Sequence, residues 1–278
     1  MQRLKSEPSL YLAIDKVKYC FLGFLAVVFL LRLTSSLSWR LDLDNSFMHY
    51  VAYLINEHGF VPYRDIFEVN MPVSYLFHMA IGKLFGYSDF AFRIVDIAWI
   101  VATMTVTWLI MRPMGQVVAI ASCLLFGNIY LELGSSVSLQ RDFIAILPMA
   151  TAFLLSTRQN LCRSKVLTCY LVGALFAVAA LVKPHMAIGL PAVVIYKATH
   201  SSNHNSKLKA TFIKACILES LWILSGFLST LMLPFWLVWH AGAIQSFWDI
   251  FSSFTPLYSQ LSQTLELVEA APRFKYAV

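Results

Sequence analysis

The sequence predicts an all-α, polytopic membrane bundle of about seven transmembrane helices. Three observations carry that prediction. The 278 residues are 59% hydrophobic and only 13% charged, with a mean hydropathy of +0.68; a soluble domain is nearer half apolar and a quarter charged. Apolar runs recur at about the length a bilayer core requires. The basic residues gather at alternate ends of those runs, as the positive-inside rule places them. The same placement explains the +6 net charge without nucleic acid as a partner. One membrane domain, 1–278, accounts for the chain, with no soluble domain and no internal repeat.

Residues 1–18, with Arg3, Lys5, Lys16 and Lys18, read as a cytoplasmic tail. Tyr19–Leu37 is nearly unbroken apolar sequence and forms the first span, running outward. It lacks a small-residue cleavage site and is too long for a signal-peptide core, so it is retained. Arg32, near its outer end, can snorkel to the headgroups. An outer loop over 38–88 follows. Within it Phe47, Tyr50, Val51, Leu54 and Ile55 fall at helical spacing across Asn45–His58, and Gly59 can cap that helix. Such a helix lies on the membrane surface. Val61-Pro62-Tyr63-Arg64-Asp65 is a turn. Met71–Phe85, started by Pro72 and stopped by Gly86, is too short to span and reads as a second interfacial helix.

Phe90–Met111 is the second span, with Arg93 and Asp96 one turn apart and paired with each other near its outer end. Gln116–Leu131 is the third. The fourth follows the outer segment Glu132–Asp142 and runs to Leu155, with Pro148 as a kink. Arg158, Arg163 and Lys165 mark the inner side. Val166–Val182 is the fifth span, Lys183-Pro184-His185 the next outer turn, and the sixth span ends near Tyr196. The loop 197–214 holds four lysines and no acid, an inner loop. Ala215–His240 is the seventh span. Residues 241–278, with Phe247, Trp248, Phe251, Phe254 and Tyr258, form an outer interfacial tail. The five cysteines, Cys20, Cys123, Cys162, Cys169 and Cys216, lack metal-ligand spacing and are expected as free thiols.

In this topology four segments meet the outer face together: Leu41–Pro72, Glu132–Asp142, Lys183–His185 and the tail. A polar loop as long as Leu41–Pro72 between membrane segments is functional more often than connective. Asp42 and Asp44 stand just past the first span. A carboxylate there can act as general base on an incoming hydroxyl, or Asp44 or Asn45 can cap the surface helix. Arg141 and Lys183 are cations suited to a phosphate held at the membrane surface; Arg141 can equally pair with Asp142 or with an acid on another helix. His185 can assist a leaving group or phosphate, or be structural. Arg64, Asp65 and Glu68 can order the loop among themselves or bind an acceptor. There is no HExxH, Cys/His cluster, phosphate-binding P-loop or GxSxG. That counts against zinc-hydrolase, ATPase and serine-hydrolase readings.

The run Asp44-Asn45, Ala52, Gly59-Phe60-Val61-Pro62-Tyr63-Arg64-Asp65-Ile66-Phe67-Glu68, Pro72 and Tyr75 resembles the first outer loop of GT-C glycosyltransferases. More narrowly it is similar to bacterial members related to protein O-mannosyltransferase and aminoarabinose transferase. Gln140-Arg141-Asp142, Leu147-Pro148 and Leu181-Val182-Lys183-Pro184-His185 resemble the family's later outer segments. Asn45 stands where the family often carries a glutamate beside the aspartate, with Asp42 able to compensate. The chain is also shorter than usual for the family, and reads as a short member, an N-terminal half or a truncated, inactive scaffold.

The resemblance implies transfer of a sugar from a polyprenyl-phosphate-linked donor to a lipid, glycan or protein acceptor. Asp44, or Asp42, would be the base, with Arg141, Lys183 and His185 on the donor phosphate. Arg64, Asp65, Glu68 and Asp142 would serve the acceptor or the loop. No cofactor is called for, and dependence on a divalent cation is left open. The implied location is the bacterial inner membrane among its lipids, N-terminus cytoplasmic, with the active site on the periplasmic face. A lipid or solute transporter is the competing class. It would show charged or broken helices at mid-membrane and repeat symmetry, whereas the polar residues here cluster at one face.

Overall fold

The structure, a computed structural model, describes residues 8–158, 164–200, 209–254, 256–258 and 260–261. Cys162, Arg163, the centre of the lysine-rich loop and the tail beyond 261 lie outside the described residues. The expected spans correspond to α1 (Pro8–Ser36), α4 (Asp89–Met111), α5 (Gln116–Glu132), α6 (Arg141–Thr157), α7 (Lys165–Val182), α8 (Gly189–His200) and α9 (Lys209–His240). Among the described residues, four helices are long and apolar enough to cross a membrane: Asp15–Ser36, Asp89–Met114, Lys165–Val182 and Cys216–His240. The other three are shorter and pack among them. The two helices expected in the first loop are α2 (Leu43–His58) and α3 (Pro72–Phe85). The tail opens with α10 (Ile244–Asp249) and a π-helical turn, Ile250–Phe254. No strand forms among the described residues beyond a single bridge between Pro62 and Ile66.

Helix boundaries follow local chemistry. Pro72 opens α3 at its first position, where its missing N–H is not needed. Gly86 ends it in the left-handed region, at φ +87°, with its N–H on the Gly82 carbonyl. Ser88 caps α4 by accepting from the Ala91 N–H, and Ser164 caps α7 through Leu167. The lysine-rich loop is shorter than expected, because α8 runs on to His200 and α9 begins at Lys209.

The bundle is a chain of neighbours: α1 on α5, α5 on α4, α4 on α6, α6 on α7, and α9 on both α7 and α8. The α7–α9 interface depends on two glycines. A Cβ at Gly173 would stand 1.8 Å from the Ile223 carbonyl oxygen, and one at Gly226 would stand 2.0 Å from that of Tyr170. Small residues that let helix backbones touch are the usual basis of helix association in lipid. The α2–α3 pair packs across the same end of the bundle, with α3 on α4, α7 and α9.

Arg32 finds an acid on a neighbouring helix. It pairs with Glu132 and donates to the Asn128 carbonyl at 2.9 Å, because α1 packs along α5 and brings that acid within reach. Arg93 and Asp96 do pair, fully buried. Among the described residues, Cys20, Cys123, Cys169 and Cys216 form no disulfide. We expect Gly173→Ala and Gly226→Ala each to lower the unfolding temperature of the detergent-solubilised protein, since backbone, not a movable side chain, meets the added methyl. Gly23→Ala, with open space around the site, should leave it unchanged.

Candidate functional site

Named contacts bring the expected outer segments to one end of the bundle. Arg93 joins α4 to Ser36 at the end of α1; Asn45 joins α2 to Ser138; Lys183 joins the end of α7 to Asp142 at the start of α6; Arg64 reaches the Ala241 carbonyl after α9. Two cavities open there. The first, about 370 Å³, is lined by Asp44, Glu68, Asn70 and Arg141 on its polar side. Phe47, Met48, Phe67, Val69, Phe254 and Tyr258 complete it. The second, about 320 Å³, is apolar and runs between the Gly59–Pro62 turn, α3 and the end of α9. One packed cluster of Met48, Tyr63, Tyr75, Val238, Ala243 and Phe247 contributes lining residues to both.

A line of hydrogen bonds crosses the polar cavity. Glu68, 1% exposed, accepts from both the backbone N–H and the side-chain amide of Asn70, at 2.7 and 2.6 Å. The Asn70 amide oxygen in turn accepts from Arg141, and Arg141 also reaches Asp44 at 3.3 Å. Asp44 is more than half exposed, so this ion pair adds about 0–1 kcal/mol to stability. Its interest lies in the placement of an arginine fork and a carboxylate in one cavity. Burial pushes the Glu68 carboxyl above its ordinary value, against the pull of the Asn70 hydrogen bonds and the Arg141 charge. Its second oxygen is buried with no hydrogen-bond partner.

The backbone around the cavity is bent where the site needs it. Among the described residues two non-glycine residues adopt positive φ: Tyr63 at +69° and Leu139 at +49°. Each is buried, and each costs about 1–3 kcal/mol that its surroundings must offset. Tyr63 turns the Pro62–Asp65 corner and donates its hydroxyl to the Asn70 carbonyl at 2.7 Å, which fixes Asn70. Leu139 donates its N–H to the Tyr130 hydroxyl at 2.7 Å, two residues before Arg141 opens α6.

Of the residues expected from sequence, Asp44, Glu68 and Arg141 share the cavity. Asp44 sits in the first turn of α2, which begins at Leu43. Asp42 accepts from the Ser135 hydroxyl at 3.3 Å. Lys183 and Asp142 pair with each other at 2.6 Å and are not among the cavity-lining residues. His185 is exposed in the 3-10 turn Pro184–Ile188. Arg64 and Asp65 order their own corner: they pair at 2.9 Å, and Asp65 accepts from the Val61 N–H at 2.8 Å. Glu68 takes no part in that pair and binds Asn70 instead. Sequence reasoning missed Asn70, and read Phe254 and Tyr258 as tail anchors rather than cavity wall. The only sequence signal for Asn70 is an amide two residues after a glutamate.

Residues 70–230 match the family model described as dolichyl-phosphate-mannose-protein mannosyltransferase, a GT-C superfamily domain. The chain belongs to this family. It is therefore a membrane glycosyltransferase of GT-C type that uses a polyprenyl-phosphate-linked sugar donor. The matched stretch includes Asn70, Arg141, Asp142, Lys183 and His185, and begins after Asp42, Asp44, Arg64, Asp65 and Glu68. No curated protein and no solved structure matches the chain.

The raised Glu68 carboxyl has a consequence for stability. In the pH range between its ordinary value, near 4.5, and its raised one, the folded state holds a proton that the unfolded state has released. This contribution is therefore lost as pH rises through the folded value. Glu68→Gln keeps an acceptor for Asn70 and removes the titration. The difference in unfolding temperature between variant and wild type should grow in favour of the variant as pH is raised from 4.5 toward neutrality. A difference independent of pH would contradict the assignment.

Proposed function

We propose that this protein transfers a sugar from a polyprenyl-phosphate donor to the hydroxyl of a lipid, glycan or protein acceptor, in the cavity between α2, the 67–70 segment and α6. The reading rests on one observation: Asp44 and Arg141 line the same cavity and lie 3.3 Å apart. Asp44 acts as base on the acceptor hydroxyl. The acceptor oxygen attacks the anomeric carbon, the bond from that carbon to the donor phosphate oxygen breaks, and the proton passes to Asp44. Arg141 receives the negative charge of the departing polyprenyl phosphate through two parallel N–H donors. A phosphate at Arg141 competes with Asp44 for the same guanidinium, so donor binding frees the carboxylate for the acceptor. Lys183, held by Asp142 next to Arg141 in the chain, and His185 stand beside the approach to the donor phosphate.

The basic residues support an orientation with this end outward, at the periplasmic face of a bacterial inner membrane. Lys16 and Lys18 precede the apolar part of α1; Arg112, Arg158 and Lys165 lie at the opposite end of the bundle from the cavity. The apolar second cavity, with no charged residue in its wall, suits a hydrocarbon chain entering from the bilayer.

Asp44→Asn retains the shape of the side chain and removes the base. It should cost about 10²-fold or more in transfer at unchanged abundance. Arg141→Ala should weaken donor binding by about 1–3 kcal/mol. The assay is sugar transfer from a polyprenyl-phosphate donor in membranes with matched protein levels. Near-full activity of Asp44→Asn would show that the base lies elsewhere, and Asp42→Asn would be the next variant.

A further inference from the structure

We propose that Asn45 is a positioning residue: its side-chain amide, bonded to the Ser138 carbonyl, holds Asp44 against Arg141. The activity arm of the test rests on the transfer reaction proposed above; the cross-linking arm does not.

Asn45 is 2% exposed and follows Asp44 directly in α2. Consecutive helical residues point about 100° apart, so α2 presents Asn45 to the bundle and Asp44 to the cavity. The Asn45 side-chain nitrogen donates to the Ser138 carbonyl. Ser138 is itself immobilised. Its hydroxyl bonds to the Asp96 carboxylate and accepts from Arg93 at 2.8 Å. The next residues are pinned too, through Leu139 on the Tyr130 hydroxyl and the Gln140 N–H on the Val137 carbonyl at 3.0 Å. Arg141 follows as the first residue of α6. Only two residues, Leu139 and Gln140, separate Ser138 from Arg141, and none separates Asn45 from Asp44.

The Asp44–Arg141 contact cannot set this geometry, because a pair this exposed is weak. The buried amide can, because breaking it leaves a carbonyl or an amide unsatisfied away from water. The same bond calls for an amide donor at position 45. An ionised carboxylate there would face the Ser138 carbonyl oxygen, acceptor against acceptor, inside the protein. In this chain position 45 is therefore a latch, and the acid of the site is Asp44 alone on this helix turn.

The test uses the full chain with its native cysteines replaced by serine and Asp44→Cys and Arg141→Cys added. A short thiol-reactive cross-linker is applied, and the 44–141 product is quantified by mass spectrometry with Asn45 or with Asn45→Leu, which has similar bulk. The latch predicts a severalfold lower yield with leucine at equal unfolding temperature; an unchanged yield overturns it. If Asn45→Leu fails to accumulate, Asn45→Ser carries the same comparison. In the otherwise native chain, Asn45→Leu should lower transfer about 10-fold or more, as for a misplaced catalytic pair, and Asn45→Gln, which keeps the amide donor, should lower it less. In an Arg141→Lys background the Asn45→Leu loss should shrink, because the contact being aligned is already gone. An undiminished, additive loss means general destabilisation and overturns the proposal. Absence of sugar transfer by the wild type would defeat the proposed reaction and leave the cross-linking result to decide the latch.

Discussion

The arrangement of the cavity end of the bundle depends on one buried ion pair. Arg93 and Asp96 stand a turn apart on α4, at 2% and 0% exposure. Two charges removed from water are tolerated only where further hydrogen bonds complete them. The sequence supplies hydrogen bonds and a ring contact from three neighbouring segments. Ser36 and the Trp39 ring come from the end of α1, the ring 4.5 Å from the guanidinium carbon. Tyr130 comes from α5, and Ser138 from the turn before α6. Losing one partner of such a pair costs about 3–5 kcal/mol, because it strands the other. The pair thus works less as a source of stability than as a demand that four chain segments converge at one point. The catalytic candidates stand on the rim of that convergence.

From the pair outward, each layer is less buried and more available for chemistry. Asp96 and Arg93 fix Ser138; Ser138 fixes Asn45; Asp44 and Arg141 follow within a few residues on either side. A second line approaches from the loop, where Tyr63 holds Asn70, and Asn70 spans Glu68 and Arg141. Both lines reach Arg141. A side chain held from two directions is positioned without being buried, which a group that must meet a phosphate requires.

Much of this was legible in the sequence, because membrane helices declare themselves by length and apolarity. The bundle helices, the two helices of the first loop with Pro72 and Gly86 bounding the second, and the Arg93–Asp96 pair all follow from local pattern. So does the assignment of the first loop and the start of α6 to one face. What was not legible is which polar groups touch. The partners of Arg141 lie 71 and 97 residues away in the chain, and no local spacing encodes them. Lys183 and Asp142 looked like separate candidates and form a pair because α6 packs on α7. Arg32 looked like an interfacial side chain and meets Glu132 because α1 packs on α5. The family match likewise falls on residues 70–230, whereas the resemblance in sequence motifs was densest before them.

The most direct measurement is photo-cross-linking with a polyprenyl-phosphate probe whose reactive group sits beside the phosphate, followed by mapping of the labelled peptides in membranes. The account predicts labelling of the segments holding Phe47, Phe67–Asn70 and Arg141, suppressed by excess unlabelled polyprenyl phosphate and reduced in Arg141→Ala. Labelling confined to the opposite end of the bundle, around Arg112 and Arg158, would contradict it.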